Sequence, residues 1–180
     1  HNSLLRLKKH SNVTTLAIYI KKLYKTYRGN HKPTVDDLSL SVEQVEIFGL
    51  LGPNGAGKTT TLNILCGLIT FDHGEVSILD HSVKDEMNKI KEFIGVVPQE
   101  IALYPTLTAQ ENLKIFGGIY GLDKKIVNER ADELLALFGL EKHKKRQTGK
   151  YSGGMKRRVN LIAGLLHNPK VLFLDEPTVG

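Results

Sequence analysis

The segment GPNGAGKTT, from Gly52 to Thr60, has residue types and spacing that suit phosphate binding. It satisfies the pattern G-x-x-x-x-G-K-S/T through Gly52, Gly57, Lys58 and Thr59. Glycines let a backbone loop curl its N–H groups around phosphate oxygens, and the start of a following helix favours anions. We expect Lys58 to reach the β- and γ-phosphates of a nucleotide and the Thr59 hydroxyl to bind Mg²⁺. The alternative is an ordinary glycine turn, but the apolar segments on both sides favour the phosphate loop.

A carboxylate pair, Asp175 and Glu176, follows the apolar run from Val171 to Leu174. Such a run predicts a strand buried on both faces, and open α/β sheets bind ligands at the carboxyl ends of their strands. We expect Asp175 to hold Mg²⁺ through water and Glu176 to polarise the water that attacks the γ-phosphate. The alternative, an acidic turn without a catalytic role, is disfavoured by the phosphate loop in the same chain.

The segment SGGMKRR begins at Ser152 and is followed by a helix-like apolar run. Lys156, Arg157 and Arg158 sit badly in a first helical turn, because the helix dipole already places positive charge there. We therefore predict that the Ser152 hydroxyl and the N–H groups of Gly153 and Gly154 form a second anion site. This site suits the exposed face of a nucleotide held by another copy. The alternative is a serine-capped helix whose cations face water.

Composition excludes several classes of protein. The chain has 180 residues and a net charge of +6, which suits one globular domain with an anionic partner. The single cysteine, Cys66, excludes an intrachain disulfide and a thiolate metal site. Apolar runs are far shorter than the ~18 residues of a membrane span, and no signal-peptide pattern appears. We expect a soluble, cytosolic part of a protein. Because it starts at His1 and stops after LDEPTVG, we interpret it as a fragment.

The remaining sequence predicts the elements that position these groups. Residues 1–15 are polar and basic, and predict a tail or linker. Strand-like segments alternate with helical ones, which indicates α/β architecture with a parallel central sheet. Thr108 followed by Glu111 predicts a capping box that opens a helix toward Tyr120, and Gly139 is expected to close the next helix.

In its order of phosphate loop, glutamine loop, SGG signature and acidic strand end, the chain resembles the nucleotide-binding domains of ABC transporters. The resemblance extends from about Ile18 to Gly180. It implies a P-loop NTPase (RecA-like) core with a mainly parallel sheet, an N-terminal antiparallel β subdomain and an inserted α-helical subdomain. The implied divisions are a tail at 1–15, a nucleotide-binding core at 16–98, a helical subdomain at 99–156 and a return to the core at 157–180.

The resemblance also implies ATP and Mg²⁺ as ligands and assigns roles to residues. Tyr27 is similar to the aromatic residue that stacks on adenine, although Tyr24 is nearby. Gln99 is similar to the glutamine that senses Mg²⁺ and the attacking water, so that Gln99 and Glu176 form the catalytic set. The implied ATP-binding set is Tyr27, Gly52, Pro53, Asn54, Gly55, Ala56, Gly57, Lys58, Thr59 and Thr60. The implied signature set, which contacts the ATP of the partner subunit, is Ser152, Gly153, Gly154 and Met155. The implied Mg²⁺ ligands are Thr59, Gln99 and Asp175.

The partners implied by the resemblance are a second nucleotide-binding domain and a transmembrane permease. The two nucleotide-binding domains would form a head-to-tail dimer with two ATP molecules between them. This places the protein on the cytoplasmic face of a membrane, and no nucleic acid is expected. Met155 stands where many members have glutamine. The segment YSGGMKRR is similar to the corresponding segment in the ATPases of type-two exporters, which export drugs, polysaccharides or lipids. The predicted function is therefore the ATPase subunit of an exporter.

Two departures from the family pattern lead to further expectations. Val45 stands where the family has glycine, so a left-handed turn there would cost on the order of 1 kcal/mol. The aspartate loop and switch histidine that follow in the family are absent, so we expect weak nucleotide binding and no turnover by residues 1–180 alone. One alternative function is a soluble ABC-type ATPase that acts on ribosomes or nucleic acid. A P-loop GTPase or kinase is another, but it leaves SGGMKRR unexplained.

Overall fold

The computed structural model of the protein describes residues 4–7 and 15–175. These residues fall into two compact units, one that ends at Lys91 and one that begins at Glu92. The first unit contains β1 (Leu4–Leu7), β2 (Leu16–Lys25), β3 (Val35–Glu43), β4 (Ile47–Leu50), α1 (Lys58–Leu65), β5 (His73–Ile78), β6 (His81–Ser82) and α2 (Met87–Ile90). The second contains β7 (Ile94–Val97), α3 (Ala109–Ile119), α4 (Lys124–Leu137), short 3₁₀ helices at Glu141–His143 and Thr148–Lys150, α5 (Gly153–Leu165) and β8 (Val171–Leu174).

The first unit is built on an antiparallel sheet in the order β3-β2-β5-β6. Alternate residues of paired strands point to one face, so Ile18 of β2 lies opposite Ile78 and Ile20 opposite Val76, all buried. The alternation shifts between Ile20 and Leu23, where the pairing register is irregular. Leu23 is nevertheless fully buried. This sheet is the N-terminal antiparallel part that the resemblance implies.

The strand before the phosphate loop, β4, pairs antiparallel with β1, from Leu4 opposite Leu50 to Leu7 opposite Ile47. The sequence predicted a tail or linker over residues 1–15, and residues 4–7 instead form a paired strand. Three of these four residues are leucine, an apolar run that the polar composition of the whole segment conceals. The turn before β4 holds Val45 at φ 59°, so the condition under which this residue would be strained is met.

The second unit places β7 and β8 side by side in parallel, from Ile94 opposite Val171 to Val97 opposite Leu174. Within the described residues this pair is the parallel part of the structure. Helix α5 approaches β7 so closely that a Cβ on Gly164 would lie 2.6 Å from Val97 Cγ2. The core of this unit is formed by residues of α3, α4 and α5 and the segments around them: Ala109, Leu113, Val127, Ala131, Leu134, Leu135, Leu140, Tyr151, Val159, Ile162, Ala163 and Leu166.

The helix boundaries follow the local signals in the sequence. Thr108 Oγ1 accepts from the Glu111 N–H at 3.2 Å, and the Glu111 carboxylate accepts from the Thr108 N–H at 2.8 Å. This confirms the predicted capping box at the start of α3. Gly139, at φ 69°, follows the end of α4 as expected. Among the described residues, no helix combines the length and apolarity needed to cross a membrane.

Candidate functional site

The phosphate loop connects β4 to α1 and depends on glycine at two positions. Gly55 and Gly57 have φ values of 83° and 81°, in the left-handed region that other residues rarely adopt. A Cβ on Gly57 would also lie 2.6 Å from the Thr34 carbonyl oxygen and 3.1 Å from Val35 Cγ2. The loop therefore packs against the start of β3, and Gly57 has no room for a side chain.

The N-terminus of α1 is open to a ligand. The helix begins at Lys58, no side chain of the described residues caps it, and its first turn carries no acidic residue. The first N–H groups of a helix lack partners within the helix, and the dipole places positive charge beside them. An anion held by the preceding loop would satisfy both, so this N-terminus fits a phosphate group.

The Lys58 ammonium already lies inside the loop. Its Nζ donates to the carbonyl oxygens of Gly52 at 2.7 Å and Pro53 at 3.0 Å. One turn into the helix, the buried Thr61 hydroxyl donates to the Gly57 carbonyl oxygen at 2.9 Å and stabilises the start of α1. The ammonium is thus held by oxygen acceptors that a phosphate could replace.

Tyr27 lies beside this helix start. Its phenolic oxygen is 3.3 Å from Thr60 Oγ1, and the side chain is 39% exposed. Tyr24, the alternative aromatic, interacts instead with Asp37. Burial and then the charge and hydrogen bond of Asp37 raise the pKa of Tyr24. The structure therefore brings Tyr27 together with Thr60, one of the residues predicted to bind ATP.

In the second unit, Ser152 caps α5. Its Oγ accepts from the Met155 N–H at 3.3 Å, and Gly153 and Gly154 are the first residues of the helix. Both glycines are exposed, and a Cβ on either would meet nothing within 4 Å. The serine cap of the simpler interpretation is present, and so is the open glycine corner that a second anion site requires. The role of this corner stays a prediction.

The cations behind the glycines have partners that the sequence did not indicate. Arg157 Nη1 donates to the Gln99 carbonyl oxygen at 2.6 Å, and Nη2 donates to the Asp175 carbonyl oxygen at 3.3 Å. Arg158 Nη1 donates to the Phe138 carbonyl oxygen at 2.8 Å, just past the end of α4, where the helix dipole is negative. Both arginines therefore have carbonyl partners far away in sequence, so their place in the first turn of α5 does not require an anion.

Gln99 and Asp175 lie at the same edge of the pair of parallel strands, because Gln99 is just past the end of β7 and Asp175 directly follows β8. The Asp175 N–H donates to the Val97 carbonyl oxygen at 3.1 Å, and Arg157 binds the carbonyl oxygens of both predicted residues. Glu176 lies outside the described residues. Among the described residues, no group of three or more histidine, cysteine or acidic side chains could hold a metal ion. The Mg²⁺ roles of Gln99 and Asp175 stay predictions.

Comparison with known proteins identifies the family. The model of the family described as ABC transporter matches residues 35–179. The chain belongs to the ABC transporter family. A solved structure titled "Structure of ATP binding subunit of ABC transporter" superposes on this chain with a TM-score of 0.77 and 30% sequence identity. The match covers 92% of this chain and 68% of the chain in the solved structure. The resemblance drawn from the sequence and the predicted fold class are confirmed.

Curated relatives carry names connected with resistance and export. The linearmycin resistance ATP-binding protein LnrL of Bacillus subtilis is 48% identical over 161 residues, which are 89% of this chain and 50% of that protein. The doxorubicin resistance ATP-binding protein DrrA of Mycobacterium tuberculosis is 42% identical over 165 residues, 92% of this chain and 50% of that protein. The Nod factor export ATP-binding protein I of Bradyrhizobium diazoefficiens is 39% identical over 94% of this chain and 55% of that protein. The chain spans about half the length of these relatives.

Proposed function

We propose that the chain is the ATP-binding and ATP-hydrolysing part of an ABC exporter. The observation that carries the proposal is the geometry of the phosphate loop. Left-handed Gly57 packs against Thr34, α1 begins without a side-chain cap, and Tyr27 lies beside Thr60. The names of the relatives, which mention drug resistance and Nod factor export, support an exporter.

In this proposal the chain's own residues bind and orient the nucleotide. Lys58 exchanges the carbonyl oxygens of Gly52 and Pro53 for the β- and γ-phosphates, because a charged acceptor forms the stronger hydrogen bond. The N–H groups at the start of α1 bind phosphate oxygens, and Tyr27 stacks on adenine. Glu176 polarises the attacking water.

A magnesium ion would neutralise phosphate charge when bound. The ligands that we propose are the Thr59 hydroxyl, the Gln99 side chain and, through water, the Asp175 carboxylate. Oxygen ligands suit this ion, which usually keeps several waters and takes only one or two carboxylates. A site with few acidic side chains is therefore compatible with Mg²⁺.

We further propose that the working form contains a second nucleotide-binding domain and a transmembrane permease. The exposed Ser152, Gly153 and Gly154, together with the partly buried Met155, would contact ATP held by the partner's phosphate loop. The helical residues 99–156 would face the permease and keep the protein at the cytoplasmic side of the membrane. The exposed glycines support this arrangement, because each leaves its backbone accessible to a ligand and has open space where a Cβ would lie.

The test of ATP binding uses the full-length protein and calorimetric titration with ATP. Lys58→Ala removes the ammonium that we assign to the β- and γ-phosphates and should abolish measurable binding. Lys156→Ala removes one cation from the other unit and should leave the affinity of the monomer unchanged. ATP affinity that survives Lys58→Ala would refute the assignment of the phosphate loop.

A further inference from the structure

Asp72, directly before β5, binds the end of β2 through three hydrogen bonds. Its Oδ2 accepts from the Thr26 N–H at 2.6 Å, and its Oδ1 accepts from Lys25 Nζ at 3.3 Å. The Asp72 N–H donates to the Tyr24 carbonyl oxygen at 2.9 Å. These contacts span 46 to 48 positions in sequence and hold the residues that lead into Tyr27.

The segment held by Asp72 leads directly into Tyr27. Tyr27 follows Thr26 directly and sits past the end of β2, so the ladder of the sheet no longer positions it. Lys25, whose ammonium Asp72 binds, places that ammonium 5.9 Å from the centroid of the Tyr27 ring. Hydrogen bonds that involve an ionised group are roughly twice as strong as neutral ones. The Thr26 N–H and then the Lys25 ammonium lower the pKa of Asp72, so it is ionised at neutral pH.

We propose that Asp72 is a positioning residue for the adenine base: it fixes Thr26 and Lys25 so that the Tyr27 ring stays beside Thr60. This role rests on the proposed function, in which Tyr27 stacks on adenine. Nothing in the patterns G-x-x-x-x-G-K-S/T or SGG points to Asp72, because the contact joins segments that are distant in sequence.

The proposed role predicts that loss of the Asp72 carboxylate affects binding of the adenine base and not binding of the phosphates. The contacts of Asp72 are to Tyr24, Lys25 and Thr26, whereas the phosphate loop is held by Lys58 and by the packing of Gly57. Loss of the Asp72 carboxylate should therefore weaken binding of ATP and spare binding of inorganic tripolyphosphate, which has no base. A defect in folding or in the phosphate loop would weaken both ligands.

The experiment measures dissociation constants of ATP and of inorganic tripolyphosphate with the full-length protein by calorimetry. Stacking of a base on an aromatic ring contributes about 1–3 kcal/mol, which corresponds to about 5- to 150-fold in affinity, and Tyr27→Ala should lose an amount in this range. Asp72→Ala should raise the constant for ATP about threefold or more and change that for tripolyphosphate less than about twofold. Glu75→Gln, on the exposed face of β5, is the matched control and should change neither.

A double variant assigns the effect to Tyr27. Asp72→Ala should add nothing to Tyr27→Ala, because both remove the same stacking interaction. An equal loss for both ligands, an unchanged ATP affinity or a full effect of Asp72→Ala in the Tyr27→Ala background would each overturn the role of Asp72 alone. An unchanged ATP affinity in Tyr27→Ala would overturn the proposed adenine site as well. If Asp72→Ala does not fold, Asp72→Asn keeps an oxygen for the Thr26 N–H, loses the charge that binds Lys25 and is judged by the same comparison.

Discussion

Replacement of Val45 by glycine should stabilise the protein. Val45 sits at φ 59°, where its branched Cβ conflicts with the backbone, and its side chain is 85% exposed. A non-glycine residue in this left-handed conformation costs about 1–2 kcal/mol. Because the side chain is exposed, its removal forfeits little hydrophobic burial.

The gain in the free energy of unfolding is reduced because the substitution also changes the unfolded state. Glycine has more conformational freedom in the unfolded chain, and this offsets about 0.5–1 kcal/mol. The free energy of unfolding should therefore rise by about 0.75 kcal/mol in Val45→Gly, the middle of a range from zero to about 1.5 kcal/mol. With a urea dependence of about 2 kcal/mol per molar, the midpoint of urea unfolding should rise by about 0.4 M.

The assay is urea unfolding followed by circular dichroism, and the matched control is Ile47→Gly. Ile47 is also β-branched and 76% exposed, but it lies in strand β4 and is not among the residues at positive φ. Glycine there should lower the midpoint, since it adds freedom to the unfolded chain without relieving strain. If Val45→Gly lowers the midpoint as Ile47→Gly does, the strain assigned to Val45 is absent.

The remaining predictions concern the second unit. Arg157→Ala removes the hydrogen bonds that a charged donor makes to the carbonyl oxygens of Gln99 and Asp175. This variant should lower the free energy of unfolding by about 1.5–3 kcal/mol. The control Lys156→Ala should change the free energy of unfolding by less than about 0.5 kcal/mol. Equal urea midpoints for these variants would contradict the account. Burial lowers the pKa of His167, whose Nε2 lies 2.8 Å from the Ile94 carbonyl oxygen. As the pH falls, this histidine is therefore protonated in the unfolded state before it is protonated in the folded state. The free energy of unfolding should fall as the pH drops below about 6.5, and His167→Phe should flatten this fall in urea titrations from pH 7.5 to 5. An unchanged slope in His167→Phe would contradict the assignment.

The features predicted from the sequence depend on residues that are close in the chain. The capping box of Thr108 and Glu111 and the helix end at Gly139 are each determined within a few residues. The backbone of the phosphate loop belongs to the same class, because it is specified by a short run that contains the glycines and Lys58.

The missed features join distant residues. Arg157 binds the Gln99 carbonyl oxygen across 58 positions, and Asp72 binds the Thr26 N–H across 46. A single sequence carries no signal for such pairs. The strand at Leu4–Leu7 was missed for a related reason, since its pairing with β4 depends on a segment about forty residues away, and its short apolar run lies in a polar stretch.

The central claim is that ATP bound by the phosphate loop of one copy also binds Ser152, Gly153 and Gly154 of another copy and so joins the two copies. The most direct measurement is the molar mass of full-length Glu176→Gln in saturating ATP, by size-exclusion chromatography with light scattering. We predict a dimer, because ATP binds but is not hydrolysed, and a monomer when Lys58→Ala is added. Glu176→Gln that remains a monomer with ATP bound would contradict the claim.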